Sequence, residues 1–344
     1  MKLAHLFTRR RGAEGSAEAS ERARVDDAVG RIIALGPHLR NARRCEARLT
    51  AAVTLALDHV ARVSAGIPPA REASAAAWSV DPYIHAFFTD PGAVAPVLSR
   101  SPDLCAFFER NPGLPEAYAV LGMAMREKHT LGVALEGETL RRDVVQETVA
   151  FSDHQVRICA RNESELRDEI VGRLLVQLGL QGMARYADQR ARLGLLERER
   201  ALLRTRLMLF ERKGVGMRAL VGGEHASEEA LDLARLQEAI AENEAAVGRL
   251  GLRSEALDRE LDEVCAVLQK PSDHLAVRTR RCVLNKLNVI LPPGSRDAGD
   301  EVVFQVAQVP TVPPQERAFT LVRFARADLR AQAGLLDEAA RLLG

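Results

Sequence analysis

The chain has 344 residues, 47% hydrophobic and 28% charged, with a formal net charge of +1. That length supports two or three domains, and the near-neutral balance excludes a global field pulling the chain onto nucleic acid or an acidic membrane. No apolar run approaches the ~18 residues of a membrane span, and five scattered cysteines without a CxxC exclude a disulfide framework or a zinc ribbon.

The opening stretch MKLAHLFTRRRGAEGS is not built as a secretory signal, because its apolar run is short and its arginines follow that run. With the unpaired cysteine count, this points to the cytoplasm. Residues 1–20 are polar, contain Gly and Ser, and are expected to be a disordered tail. Residues 21–125 are expected to be helical. Val25, Val29, Ile32 and Ile33, then Leu49, Val53, Leu57 and Val60, recur at the three- and four-residue spacing of a buried helix face, with Gly36-Pro37 as an interruption. HAFFTDPG (85–92) and CAFFERNPG (105–113) read as short helix ends stopped by Pro-Gly. Their Phe pairs are assigned to core, since aromatics make up only 4% of the chain.

From Lys128 the period changes to two. Residues 126–162 and 271–328 are expected to form one small antiparallel β-domain, with the EGE of LEGETL as a turn candidate in the first part. In the second part HLAVRTRRCVLNKLNVIL, DEVVFQVAQVP and RAFTLVRFARADL read as three strands. Residues 329–344 return to helix.

Between the two β-type parts, residues 163–270 carry the strongest pattern in the chain. Leu233, Leu236, Ile240, Asn243, Val247, Leu250, Ser254, Leu257, Leu261, Val264 and Leu268 alternate spacings of three and four, which is a heptad seam. Tyr186, Gln189, Leu193, Leu196, Arg200, Leu203, Leu207 and Phe210 keep the same alternation less cleanly. Four glycines in KGVGMRALVGGEHASEE separate the two arms, and Ser227 is a helix N-cap signal. The expectation is an antiparallel coiled-coil hairpin with arms of about 60–75 Å, projecting from the β-domain of an α+β fold. This arrangement is similar to that of periplasmic adaptor proteins of efflux and secretion systems. The similarity is of arrangement only: these residues show neither a lipoyl-type half-motif beside the arms nor the pattern of a lipoprotein signal.

The tripeptide SDH occurs twice, in FSDHQVRICA and PSDHLAVRTRRC, on either side of the arms. Asp153, His154, Asp273 and His274 offer metal-ligand chemistry, but their spacing matches no standard site. The favoured alternative is that Ser-Asp starts a turn before a strand and His sits at a sheet edge. No Walker A, GxGxxG, HExxH or GxSxG motif is present. Of the basic runs, RTRRCVLNK puts Arg278 and Arg280 on one strand face and Arg281 on the other, which breaks up a phosphate-binding stripe. The expected function is therefore non-enzymatic: a scaffold or adaptor that uses the hairpin to bind itself or a protein partner, without a cofactor. The alternatives are a nucleic-acid-associated protein with a basic β-face, and a metal-dependent enzyme with a site near the hairpin base.

Overall fold

The structure is a computed structural model. It describes residues 4–136, 139–212, 226–250, 255–275, 277–292, 295, 297–309 and 315–330. In chain order the elements are α1 (Ala4–Leu35), a 3-10 turn (Pro37–Asn41), α2 (Cys45–Ala65), β1 (Arg71–Glu72), α3 (Ala75–Trp78), α4 (Pro82–Phe87), α5 (Pro91–Ser99) and α6 (Pro102–Arg110). Then follow β2 (Glu116–Glu136), β3 (Thr139–Ala160), α7 (Glu163–Arg212), α8 (Ala226–Leu250), α9 (Ala256–Gln269), β4 (Val277–Leu284), β5 (Asp300–Val309) and β6 (Gln315–Ala325). The protein is α+β and mostly helical, and it forms two compact units.

One unit, residues 1–56 with 175–274, is helix joined by short turns among its described residues. Its first helix starts at Ala4, so helix takes the place of the disordered tail expected up to residue 20. That stretch is rich in Ala, Arg and Glu, which give up little freedom on entering a helix. Pro37 ends the helical run as its lost N–H requires. Val25, Val29, Ile32, Ile33, Leu49 and Val53 are all buried. The proximal part of α7 packs on them: Gly179 faces Ile32 and Leu35, and Gly36 faces Met183. His38 reaches Glu260 at 2.9 Å, and Arg48 pairs with Asp258 and Asp262. At Gly182 a Cβ would lie 2.6 Å from the Cα of Val264, so α7 and α9 meet backbone to backbone.

The other unit, residues 57–174 with 275–344, is built on a sheet ordered β3-β2-β6-β5-β4, with β1 added parallel to β6. Strand β2 starts at Glu116, ten residues before the expected β-domain boundary. Its first half, EAYAVLGMAM, is rich in Ala, Leu and Met and so looks helical in isolation. Pairing on both sides, to β3 and β6, overrides that preference. Ala117, Ala119, Leu121 and Met123 face a core that includes Phe87, Phe108, Phe304 and Phe324. Tyr118 and Val120 face the opposite cluster with Ile67, Leu166 and Ile170. Both Phe pairs, Phe87-Phe88 and Phe107-Phe108, are buried as expected.

The short helices between Ser74 and Arg110 are written in their start signals. Ser74, Asp81 and Ser101 each accept a backbone N–H of the first turn, and Pro82, Pro91 and Pro102 sit at the first helical positions. Asp90-Pro91 therefore opens α5, where the sequence reading had Pro-Gly stop a helix. Glu136 pairs with Thr139, so β2 and β3 form a hairpin; the remaining residues of the EGE turn candidate, 137–138, lie outside the described residues. Also outside them are the glycine-rich segment 213–225 and residues 331–344, most of the expected C-terminal helix.

Candidate functional site

The first SDH sits in the middle of a strand, not at the start of one. Gly122 pairs with Gln155 and Ala124 with Ser152, so Met123 faces two residues, Asp153 and His154. This is a β-bulge, and Asp153 carries its positive φ of 49°. The extra residue shifts the side-chain alternation of β3. Before it, Val149 and Phe151 point into the core; after it, Val156 does, with His154 on the same face. Arg317 fixes the bulge by donating to the Asp153 carboxylate at 2.6 Å and to its carbonyl at 2.7 Å. That hydrogen bond holds the Asp153 carboxyl below its ordinary range.

His154 is turned inward. Its Nε2 lies 2.7 Å from the carbonyl of Phe87, the last residue of α4, and its ring stacks on Phe88 at 4.7 Å. A carbonyl only accepts, so this nitrogen carries the proton and satisfies a helix-end acceptor. Burial pushes the His154 imidazole below its ordinary value, favouring the neutral ring.

The second SDH is different in kind. Pro271–Asp273 is a 3-10 turn, Ser272 donates to Asp273 at 3.3 Å, and Arg185 lies 3.4 Å from the Nε2 of His274. His274 belongs to the helical unit and His154 to the sheet unit. Among the described residues no group of three or more His, Cys, Asp or Glu is placed to hold a metal ion. Burial pushes the Cys159 thiol up to about 12 and the Cys265 thiol up to about 11, leaving both protonated near neutrality.

Along α7 and α8 burial is one-sided. All eight α7 positions of the alternating series, Tyr186 through Phe210, are partly buried, and of the other residues between 185 and 212 only Gly194 and Glu197 share that state. On α8, Leu233, Ile240 and Val247 are partly buried, while Leu236 and Asn243 are buried. Asn243, 6% exposed, donates to the Leu196 carbonyl at 3.2 Å and to Glu199 at 3.1 Å, both on α7. Its Oδ1 is buried without a partner. Gln189 binds Glu263 at 2.8 Å, and Arg204 pairs with Glu244. As the α7 number rises from 182 to 204 the partner number falls from 264 to 244, so the helices run in opposite directions.

The heptad series is less regular on its far side. α8 ends at Leu250 and α9 starts at Ala256, and Leu257 is 37% exposed, not seated with its neighbours. The side chain of Leu250 and the whole of Ser254 lie outside the described residues. Leu261, Val264 and Leu268 are buried again. A feature that the seam reading passed over is a second apolar line on α7. Leu195, Leu202 and Leu209 are 62%, 70% and 53% exposed and recur every seventh residue. The signal was in the sequence, in leucines that fall outside the seam phase.

On the sheet the basic run is neutralised. Arg278 pairs with Glu316 at 2.7 Å, Arg281 with Glu301 at 3.1 Å, and Arg280 with Glu127. Arg278 and Arg281 are on opposite faces by alternation. Among the described residues no helix is long and apolar enough to cross a membrane. No family model, no curated protein and no solved structure matches the chain.

Proposed function

We propose that the protein is a non-enzymatic scaffold or adaptor whose paired helices α7 and α8 form an antiparallel coiled-coil arm that binds a protein partner or a second copy. The observation that carries this reading is the one-sided burial of α7 and α8, with apolar side chains left on the outer faces. Single exposed apolar side chains are ordinary on any protein surface, but a helical line of them marks a contact face. Here Leu195, Leu202, Met208, Leu209 and Leu231 stay exposed. Asn243 fits a register device, because a polar group at a seam position favours the one alignment that satisfies it. The paired arginines of β4 support this reading over a phosphate-gripping β-face.

The test is to replace residues 193–254 with a short Gly-Ser linker, which removes the distal arm and keeps the Gly182–Val264 crossing. Proteins crosslinked to the full chain in the cells that make it are compared with those crosslinked to the trimmed chain. Loss of the main crosslinked species on trimming is expected. Recovery of the same set with the same yield would remove the arm from the function.

A further inference from the structure

The outer faces of α7 and α8 differ in a way that names a partner. On α7 the outer line is Leu195, Arg198, Leu202, Thr205 and Leu209, every member exposed. At about 100° per residue it lies about 150° around the helix from the partly buried face. On α8 the outer line is Leu231, Ala234, Glu238, Ala241, Ala245 and Gly248, again all exposed. A Cβ at Gly248 would meet nothing within 4 Å. One line has large side chains and an arginine; the other has mostly small side chains and a glutamate.

The charges follow the same division. Residues 192–212 hold six arginines and three glutamates, while 231–249 hold four acidic residues and two arginines. Arg192, Arg198 and Arg206, with Glu238 and Glu242, have no ion-pair partner among the described residues. The two lines are thus complementary in size, and in sign at Arg198 and Glu238, yet they lie on opposite sides of the arm and do not meet within one chain.

We infer that the outer face of α7 docks on the outer face of α8 of a second copy of this chain. Read in opposite directions the two lines keep the same spacing of three, four and three. One register sets Leu195 against Ala241, Arg198 against Glu238, Leu202 against Ala234 and Thr205 against Leu231. Large against small is how packed helices interlock, and an opposed Arg–Glu pair fixes register and orientation. Because the two faces point away from each other, one partner cannot engage both at once. The contact is heterologous, so a second copy leaves one face of each kind open for a third. An anionic lipid surface would suit the α7 face alone. The α8 line, whose Glu238 and small side chains oppose Arg198 and the leucines of the α7 line in the register above, favours a copy of the chain.

This inference rests on the reading of α7 and α8 as an interaction arm, and its test separates the two. Purified full-length protein is run by sedimentation velocity over a concentration series. Association that grows with concentration is expected. Leu202→Glu, Arg198→Glu and Glu238→Arg should each weaken it at least tenfold, and Arg198→Glu with Glu238→Arg in one chain should restore most of the loss. Each variant is first shown to keep the wild-type helix content and thermal transition. A protein that stays monomeric to ~100 µM overturns the inference. So does association that none of the three substitutions weakens. Monomeric protein that sediments with phosphatidylserine vesicles, and ceases to with Arg198→Glu, overturns it in favour of a lipid surface. In each case the arm reading stands or falls separately, by the crosslinking of the trimmed chain.

Discussion

On the sheet, Arg278, Arg280, Arg281, Arg317 and Arg323 each meet a carboxylate. Along the distal part of α7, Arg192, Arg198 and Arg206 meet none among the described residues. Apolar side chains are exposed in both units, Val80 and Leu287 of the sheet unit most of all, but on α7 they recur every seventh residue. Phe87, Phe151 and Phe304 close an edge-to-face triad with ring centroids 4.9–6.1 Å apart, while Leu195, Leu202 and Leu209 are more exposed than buried. A packed core is finished by folding, whereas a line of exposed leucines beside unpaired arginines leaves interaction energy for another molecule. On the function proposed above, stability rests with the sheet core and recognition with the distal helices.

The sharpest way to break this comparison is to cut into the triad. Phe304→Ala leaves a cavity among packed rings and should cost about 3–5 kcal/mol, read by chemical denaturation. A loss under about 1 kcal/mol would mean that the sheet core is loose. Next in size is Gly182→Ala. In an ordinary helix this change stabilises by a few tenths to 1 kcal/mol. Here the new methyl would strike Val264, so a loss of about 1–3 kcal/mol is expected. The sign alone decides whether α7 and α9 cross this closely.

Asn243→Leu acts in the opposite direction. It removes a buried Oδ1 that has no partner and should raise stability by about 1 kcal/mol. The same change deletes the hydrogen bonds to Leu196 and Glu199, so sedimentation should show a broader spread of associated states. A less stable variant, or an unchanged distribution, would show that Asn243 does not set register.

A smaller effect is expected from protons. The His154 imidazole is held below its ordinary 6.5 by burial, so folding favours the neutral ring. Unfolded chains then bind more protons, and stability rises with pH through the window between the folded and unfolded values. The contribution is complete above about 6.5 and is lost as pH falls below it. His154→Asn should flatten that slope between pH 7 and 5, in denaturation curves compared with wild type. An identical slope would place the titration elsewhere. The smallest effect is Leu202→Glu, which should leave thermal stability within about 0.5 kcal/mol while altering association.

Much of the fold was readable in the sequence, and the reasons for the rest are physical. The helix faces of α1 and α2, strands β4, β5 and β6, and the positions of the α7–α8 contact follow from periodicity, because burial itself is periodic there. Strand β2 hid its first ten residues because Ala, Leu and Met favour helix until two neighbouring strands pair with them. The heptad phase runs on from Val247 to Leu261 and gives no sign that Leu257 is exposed. The grouping of α1 and α2 with the base of α7 depends on contacts between residues more than a hundred positions apart, such as Gly36 with Met183. The bulge at Asp153 escaped notice because nothing local marks it; its partner Arg317 lies on a different strand.

The central claim, that copies of the chain meet through the distal helices and not through the sheet, is tested most directly by mixed-isotope crosslinking. Equal amounts of ordinary and nitrogen-15-labelled full-length protein are combined, crosslinked and digested, so that links between copies carry one peptide of each mass. Inter-copy links joining residues 191–209 to residues 231–248 are expected, and they should be lost in Leu202→Glu. Inter-copy links confined to β4, β5 and β6, or none at all under conditions that give abundant links within one copy, would contradict it.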